Sequence, residues 1–507
     1  MESEGSEVEH LKASHAAAVI CVVLSAAGVR VCAGDEGGSE SAIGWLRAAL
    51  GDPGRADVVL VTLNATGDED LVPLFVAASK SADKRKRLFA ASALGQLGGP
   101  AAFAALREQL LNDSVMAIRA EALTHLLDNE AADADLLAAA IGMGDERVRC
   151  IAAGAVVHKN PNAAAAEVLE RLSRSREASI SGPARLSLLG MGRKEQLTAM
   201  GKMMGHAETP NSVVRMLLLL IAREKIAAAA PLAESVIGSK RPLHIRVVAA
   251  RAATAVAPEA SRIVFESIRN SPNMIYRVSL LRILAGRKDA GAYLAAIAKS
   301  KLPVGVLGRF EQARLGQPDA VDLTTRVQEA MRLGHPVVVN YILNRAIEDA
   351  ESLGAKADFY TPAVLRYIAS VDADAVRLGP QHRLAARLAA WLVDLGTPRA
   401  MAGIRKILTG RYSAVTRAAA AGVLGAKNKR ACQLARGLLK SPYQELASDA
   451  ALTLGHFGDP AAEEYFRRIL SREGGYSINE MTVASWYLLK IHKRSKTAAE
   501  ELAASVK

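Results

Sequence analysis

Side chains able to carry chemistry are few in this chain, and they do not gather. Its 507 residues include ten histidines. His125, His158, His206 and His244 are typical of the scatter. No two histidines stand four apart, the spacing that sets two imidazoles on one helix face for a metal ion. Cys21, Cys32, Cys150 and Cys432 form no C-x-x-C pair, so neither a zinc pattern nor a disulfide framework is written here. The phosphate loop GxxxxGK[ST], the zinc-hydrolase HExxH and the nucleophile elbow GxSxG are absent. The sequence therefore predicts no catalytic, metal-binding or cofactor-binding residue and no cofactor, and it points to binding rather than catalysis. Lys84-Arg85-Lys86-Arg87 is shaped like a nucleic-acid patch. Asp83 sits where a helix cap belongs, however, so the run reads as the solvated first turn of a helix. Binders of single strands also interleave aromatic side chains with basic ones. Here aromatics make up 4%, and Trp45, Trp391 and Trp486 are far apart.

What must position any binding surface is a repeat. The stretch RLFAASALGQLGGPAAFAALREQL, Arg87–Leu110, returns about every 31 residues. Arg87, Arg119, Arg149, Arg185, Arg215, Arg246 and Arg277 lead successive copies. A fainter copy ends at Leu315–Ala320, and later ones begin at His382, Thr416 and Ser448. Counted from the arginine, apolar or small residues recur at +3, +4, +7 and often +10, one face of a helix. Gly98-Gly99-Pro100 stops the first helix, and Phe103, Leu106 and Leu110 line one side of a second. Such a pair cannot bury its apolar face alone, so the copies must stack. A chain of this length exceeds a single core. Half of its residues are apolar yet few are aromatic, which suits closely packed helices better than sheets.

The pattern VRxxAAxALGxLGDPxA followed by a second amphipathic helix resembles the HEAT repeat. It is best seen at Arg87–Ala102, Arg147–Ala155, Thr416–Gly425 and Ala447–Ala462, and it extends over roughly residues 42–500. The resemblance implies an all-α, right-handed α-solenoid of roughly thirteen or fourteen stacked helix pairs. It implies that the arginine opens the inner helix. It also implies that an aspartate in the preceding turn bonds that arginine or caps the helix: Asp83, Asp113 and Asp145. Later copies carry Ser239 and Ser271 there instead. Inner helices of such arrays line a concave face, where positions +5 and +9 point to solvent. Thr124, Arg251 and Arg282 stand at +5; Asp128, His158 and Glu224 stand at +9; His456 takes the same place in a late copy. This mixed polar stripe suits a protein or extended peptide more than a phosphate backbone. The expected function is a non-enzymatic scaffold or adaptor with a protein partner. One alternative is a cytoplasmic nucleic-acid binder similar to the HEAT-like alkylpurine DNA glycosylases, although the chain lacks their clustered Trp and Asp residues. A third is a chromophore lyase like the HEAT-like phycobilin lyases.

The N-terminal region adds an expectation about place. Ala16–Gly28 is an apolar run of 13, shorter than the roughly 20 residues of a membrane span and suited to a secretory signal cleaved after Ala33. Glu2, Glu4, Glu7 and Glu9 against Lys12 alone are unusual for such a leader. The expected organisation is a signal peptide at 1–33, a linker at 34–41 and HEAT-like repeats at 42–320. Degenerate or lengthened repeats follow at 321–380, then repeats at 381–473 and capping helices with a water-facing side at 474–507. Export to a periplasmic or extracellular space follows, with no stable membrane span after processing; a cytoplasmic location is the alternative. The net charge is +12 and the pI about 9.5, which keeps nucleic acid open as a secondary partner. Protein recovered from fractionated native cells is expected to begin at Gly34 or Asp35 outside the cytoplasm. An intact N-terminus in the cytosol would overturn export.

Overall fold

The computed structural model describes residues 38–506 apart from 53, 160–161, 316–319, 373–374, 376–378, 411–412, 427 and 472–475. The signal-like segment with Cys21 and Cys32, most of the fainter copy at Leu315–Ala320, and the Gly474-Gly475 pair lie outside the described residues. Among those described, 29 α-helices occur and no strand. In chain order they begin with α1 (Gly38–Gly51), α2 (Ala56–Thr66), α3 (Val72–Ala78), α4 (Lys84–Leu97) and α5 (Pro100–Asn112). Next come α6 (Met116–Asp128), α7 (Ala134–Ile141), α8 (Glu146–Lys159), α9 (Ala163–Leu172), α10 (Ala178–Gly190) and α11 (Gln196–Gly205). These are followed by α12 (Asn211–Arg223), α13 (Ala230–Ile237), α14 (Leu243–Val256), α15 (Ala260–Asn270), α16 (Met274–Ala285) and α17 (Gly291–Ala298). Then come α18 (Pro303–Leu315), α19 (Ala320–Leu333), α20 (Pro336–Leu353), α21 (Thr361–Ser370), α22 (Pro380–Leu395) and α23 (Pro398–Leu408). The last are α24 (Ala414–Gly425), α25 (Lys429–Leu438), α26 (Gln444–His456), α27 (Glu463–Leu470), α28 (Ile478–Ile491) and α29 (Ser495–Ala503). The chain divides into two compact units, one of Met1–Ala105 with Leu343–Lys507 and one of Leu106–Ile342.

In the unit Leu106–Ile342, helices α6, α8, α10, α12, α14, α16 and α18 pack side by side as one layer, and the helices between them form the other. The repeat period explains the layering. On α12, Val214, Leu217, Leu218 and Ile221 are buried, the one-face spacing of a helix covered by its neighbours.

The repeat arginines tie one helix pair to the next. Arg87 donates to the carbonyls of Ser81 and Ala82 at 3.0 Å, Arg119 to that of Asp113 at 2.8 Å and Arg277 to that of Ser271. In each case the guanidinium reaches six residues back to a turn whose carbonyls a helix end leaves unpaired. Arg246 reaches nine residues back to the Ile237 carbonyl at 2.7 Å and lies over the Tyr276 ring, 4.5 Å from its centroid. Asp83 and Asp145 cap α4 and α8, accepting from the Arg85 and Arg147 amides at 2.8 and 2.9 Å. Asp113 accepts from the Val115 amide within its turn. The carboxylate of Asp145 stands 3.6 Å from Arg119 of the preceding copy. The α16 cap is Asn273, which accepts from the Tyr276 amide at 2.9 Å; Ser271 shapes the turn before it. The Lys84–Arg87 run forms the first turn of α4, as its pattern predicts.

The irregular interval holds the longest helix, the 18-residue α20, followed by a 3-10 segment at Gly354–Tyr360. Buried carboxylates accompany it. Glu311, fully buried, accepts from the Tyr341 hydroxyl at 2.6 Å and pairs with Arg314 at 2.8 Å. Asp349 accepts from the Tyr360 hydroxyl at 2.8 Å.

In the other unit the C-terminal segment buries one of its two helices and keeps a water-facing side on the other, where Lys496, Thr497 and Glu500 are exposed. Residues Met481–Leu489 of α28 are buried without a polar face left over. Helices α1 and α2 pack on α28, while α29 packs on α1 and α3. Polar contacts fix the arrangement. Asp68 accepts from Trp486 Nε1 at 3.2 Å and pairs with Lys490. Thr62 donates to Asn479 at 2.8 Å, Arg494 bonds Ser39 and Glu40, and Arg47 bonds Glu501 at 3.2 Å. Lys490 and Arg494 look solvated in sequence because the residues that meet them lie over 400 positions earlier, whereas His492 stands 3.2 Å from Glu463 of α27 and Lys493 is exposed.

Asp68 is the centre of that contact and is 8% exposed. Asp68→Ala leaves an ammonium and an indole N–H without their acceptor. It is expected to lower the stability of this unit by about 2–4 kcal/mol. Trp45, Trp391 and Trp486 all belong to this unit, so tryptophan emission in a urea titration reads it selectively. An unchanged midpoint would overturn the assignment.

Candidate interaction face

The α12 sequence NSVVRMLLLLIAR contains four consecutive leucines. One packed face cannot take them all. Leu217 and Leu218 turn inward, whereas Leu219 is 49% exposed. Arg215, Leu219 and Arg223 stand one turn apart on the outward face. With Ser212, Met216 and Leu220 they line an open concavity of about 320 Å³. Arg215 has no side-chain partner among the described residues.

At the C-terminal end of α12 the layer closes on itself. Asp128 ends α6, and Arg223 ends α12, three helices further along. At the usual 8–10 Å per helix a straight stack would part them by about 25–30 Å. Instead Arg223 Nη1 lies 3.7 Å from Asp128 Oδ1, and Arg223 Nε donates to Glu224 at 2.7 Å. The ends of these helices therefore converge. His158, from the end of α8, sits among them with Nε2 3.3 Å from the Ser187 hydroxyl of α10. Gly190 packs beside it: a Cβ there would be in ordinary contact with His158 Cε1 at 3.5 Å and Ile226 at 3.6 Å. Burial holds the His158 imidazole below its ordinary value, the Glu224 carboxylate pulls the other way, and the Arg223 charge adds to the depression.

The structure brings together three of the residues that the repeat register singles out: Asp128, His158 and Glu224. It joins them through Arg223 and Ser187, which the register misses. Thr124 bonds back to the Ala120 carbonyl at 2.8 Å. Arg251 is exposed on α14, and Arg282 is partly buried on α16. His456 belongs to the other unit, its ring edge-on to Phe457 at 5.2 Å. The four-leucine run is the sequence signal that could have located the α12 face. Nothing in the sequence signals the Asp128–Arg223 pair, because it depends on the bend of the stack.

Ser187 is 6% exposed, and the Glu224 carboxylate faces Arg223, so the hydroxyl and imidazole fill space between repeats and are not laid out as nucleophile and base. Burial pushes the Cys150 thiol up to about 12, and that of Cys432 is also raised; both are free. Such thiols are poor nucleophiles. Among the described residues no three His, Cys, Asp or Glu side chains group to hold a metal ion, and no helix is long and apolar enough to cross a membrane.

Residues 54–127 match the family model for HEAT repeats. The chain thus carries HEAT repeats, and stacked helix pairs continue after the matched segment. Among solved structures, UNC-45 from Drosophila melanogaster is similar at 12% identity, over 92% of this chain and 80% of that one, with a TM-score of 0.31. The karyopherin Kap121p, in its structure bound to Ste12p, is similar at 12% identity over 93% of this chain with a TM-score of 0.33. The chain spans about half its length, 55%. No curated protein matches the chain in sequence.

The depressed His158 value fixes a pH dependence. Below the ordinary imidazole range near 6.5 the unfolded chain takes up a proton that the folded unit resists. The stability of the unit Leu106–Ile342 is therefore full above about pH 6.5 and declines as pH falls through the lower folded value. His158→Gln is expected to flatten the slope of far-UV circular dichroism midpoints between pH 7.5 and 5. A slope unchanged by the substitution would overturn the assignment.

Proposed function

We propose that the protein is a non-enzymatic scaffold or adaptor that holds a protein or peptide on the solvent-facing side of the α6–α18 layer. The observation that carries this reading is the α12 face, where exposed Leu219 and half-buried Met216 lie between Arg215 and Arg223. Apolar area with a polar border is the composition of protein-binding surfaces. A repeat stack extends such a surface across neighbouring helices. Thr124 and Arg251 lie on helices of the same layer at the same repeat position, and Arg282 continues the row on α16. Export, read from Ala16–Gly28, places the partner outside the cytoplasm.

The test is site-specific photo-crosslinking in native cells. A photo-reactive residue at Thr124, Leu220 or Arg251 is expected to capture a protein, whereas one at Arg262, on the opposite layer, is not. Cross-links to nucleic acid alone, or equal yields from both layers, would overturn the proposal.

A further inference from the structure

The chain's positive charge is not spread evenly. Residues 171–302 hold 22 Lys and Arg against 8 Asp and Glu, while the rest of the chain holds 42 against 44. The whole excess therefore lies in the segment from the end of α9 to the start of α18. Much of it is architectural. Arg241 donates to the carbonyls of Met204, His206 and Thr209, Arg246 and Arg277 hold their turns, Arg262 faces Glu266 and Arg287 donates to the Thr254 carbonyl at 2.6 Å. Within residues 171–302, two cations on helices of the α6–α18 layer are exposed with no side-chain partner among the described residues: Arg215 on α12 and Arg251 on α14. Met216, Leu219 and Leu220 line the α12 concavity beside Arg215, and α14, which carries Arg251, packs against α12.

Resting on the adaptor reading, we propose that this face takes an acidic, amphipathic segment of the partner protein. Its apolar side chains sit on Met216, Leu219 and Leu220, and its carboxylates on Arg215 and Arg251. The guanidinium fork suits carboxylates, and the surplus charge of residues 171–302 steers an acidic chain toward it. Exposed aliphatics of the same segment, Leu243 at the start of α14 and Ile275 at the start of α16, suit a polypeptide. A single-stranded nucleic acid would call for aromatic platforms. The three aromatics within residues 171–302 are engaged elsewhere: Tyr276 is buried, and Phe265 and Tyr293 stack on one another at 5.2 Å.

The test uses the full chain and fluorescence anisotropy with synthetic 16-residue peptides. The first has leucines at helical i, i+4 and i+7 spacing with glutamate elsewhere; the second replaces every glutamate by glutamine. The glutamate peptide is expected to bind at least tenfold more tightly than the glutamine one and to weaken as NaCl rises. Arg215→Glu with Arg251→Glu is expected to remove at least tenfold of that affinity, Leu219→Ser several-fold, and Arg262→Glu to leave it intact. Circular dichroism checks that each variant is folded. Equal binding of the two peptides, no binding of either, or an equal loss with Arg262→Glu would overturn the proposal. Tighter binding of a 20-nucleotide single strand than of the glutamate peptide, lost in the same arginine variants, would overturn it in favour of nucleic acid. If photo-crosslinking captures a protein and the glutamate peptide does not bind, the acidic-segment proposal fails and the adaptor reading stands. If the peptide binds and no protein is captured, the adaptor reading is what fails.

Discussion

A helix pair that cannot cover its own apolar face makes every other feature of this protein conditional on a neighbour. The alanine- and leucine-rich stripes at +3, +4 and +7 are buried because the next pair lies over them, with Leu219, at +4 from Arg215, the exposed exception on α12. The small side chains let helices approach closely, and some positions tolerate nothing larger. A Cβ on Gly422 would lie 1.9 Å from the Ala386 carbonyl oxygen, where α24 crosses α22. The same dependence explains the repeat arginines. A turn between stacked helices exposes carbonyls with no partner of their own, and a guanidinium from the next helix supplies several donors at once.

The local part of this scheme was legible in the sequence. Arg87, Arg119 and Arg277 announced the start of a helix, Gly98-Gly99-Pro100 its end, and the apolar period its buried side. Those signals act within one or two turns, where spacing alone decides the geometry. Legibility ended where distance in the fold departs from distance along the chain. Asp128 and Arg223 lie 95 positions apart in the sequence and meet because four helices converge. Lys490 and Arg494 read as a solvated cap, and their partners Asp68 and Glu40 could not be named from a pattern. The site was half legible for the same reason. The repeat register found Asp128, His158 and Glu224, but not that Arg223 pairs with two of them. The four leucines at 217–220 marked a face with more apolar surface than one neighbour can cover.

Charge has two roles in this molecule, and composition does not separate them. A net charge of +12 suggests an electrostatic surface. The structure shows that most arginines of residues 171–302 hold turns, pair with glutamates or lie over rings, and are spent inside the architecture. What a partner meets is set by the few that are left. Arg215 and Arg251 matter because they have aliphatic neighbours and no carboxylate of their own.

The contact of α28 and α29 with α1, α2 and α3 has a consequence for how the repeats come apart. In an open stack the terminal pair has one neighbour and frays first, and opening then runs inward one pair at a time. Here α28 is covered on both sides. Loosening it strips the cover from helices near residue 50, and loosening those exposes helices near residue 485. The two ends of the described sequence therefore share one fate. A perturbation at either is felt at the other as lost cover, and proteolytic access at both should rise and fall together.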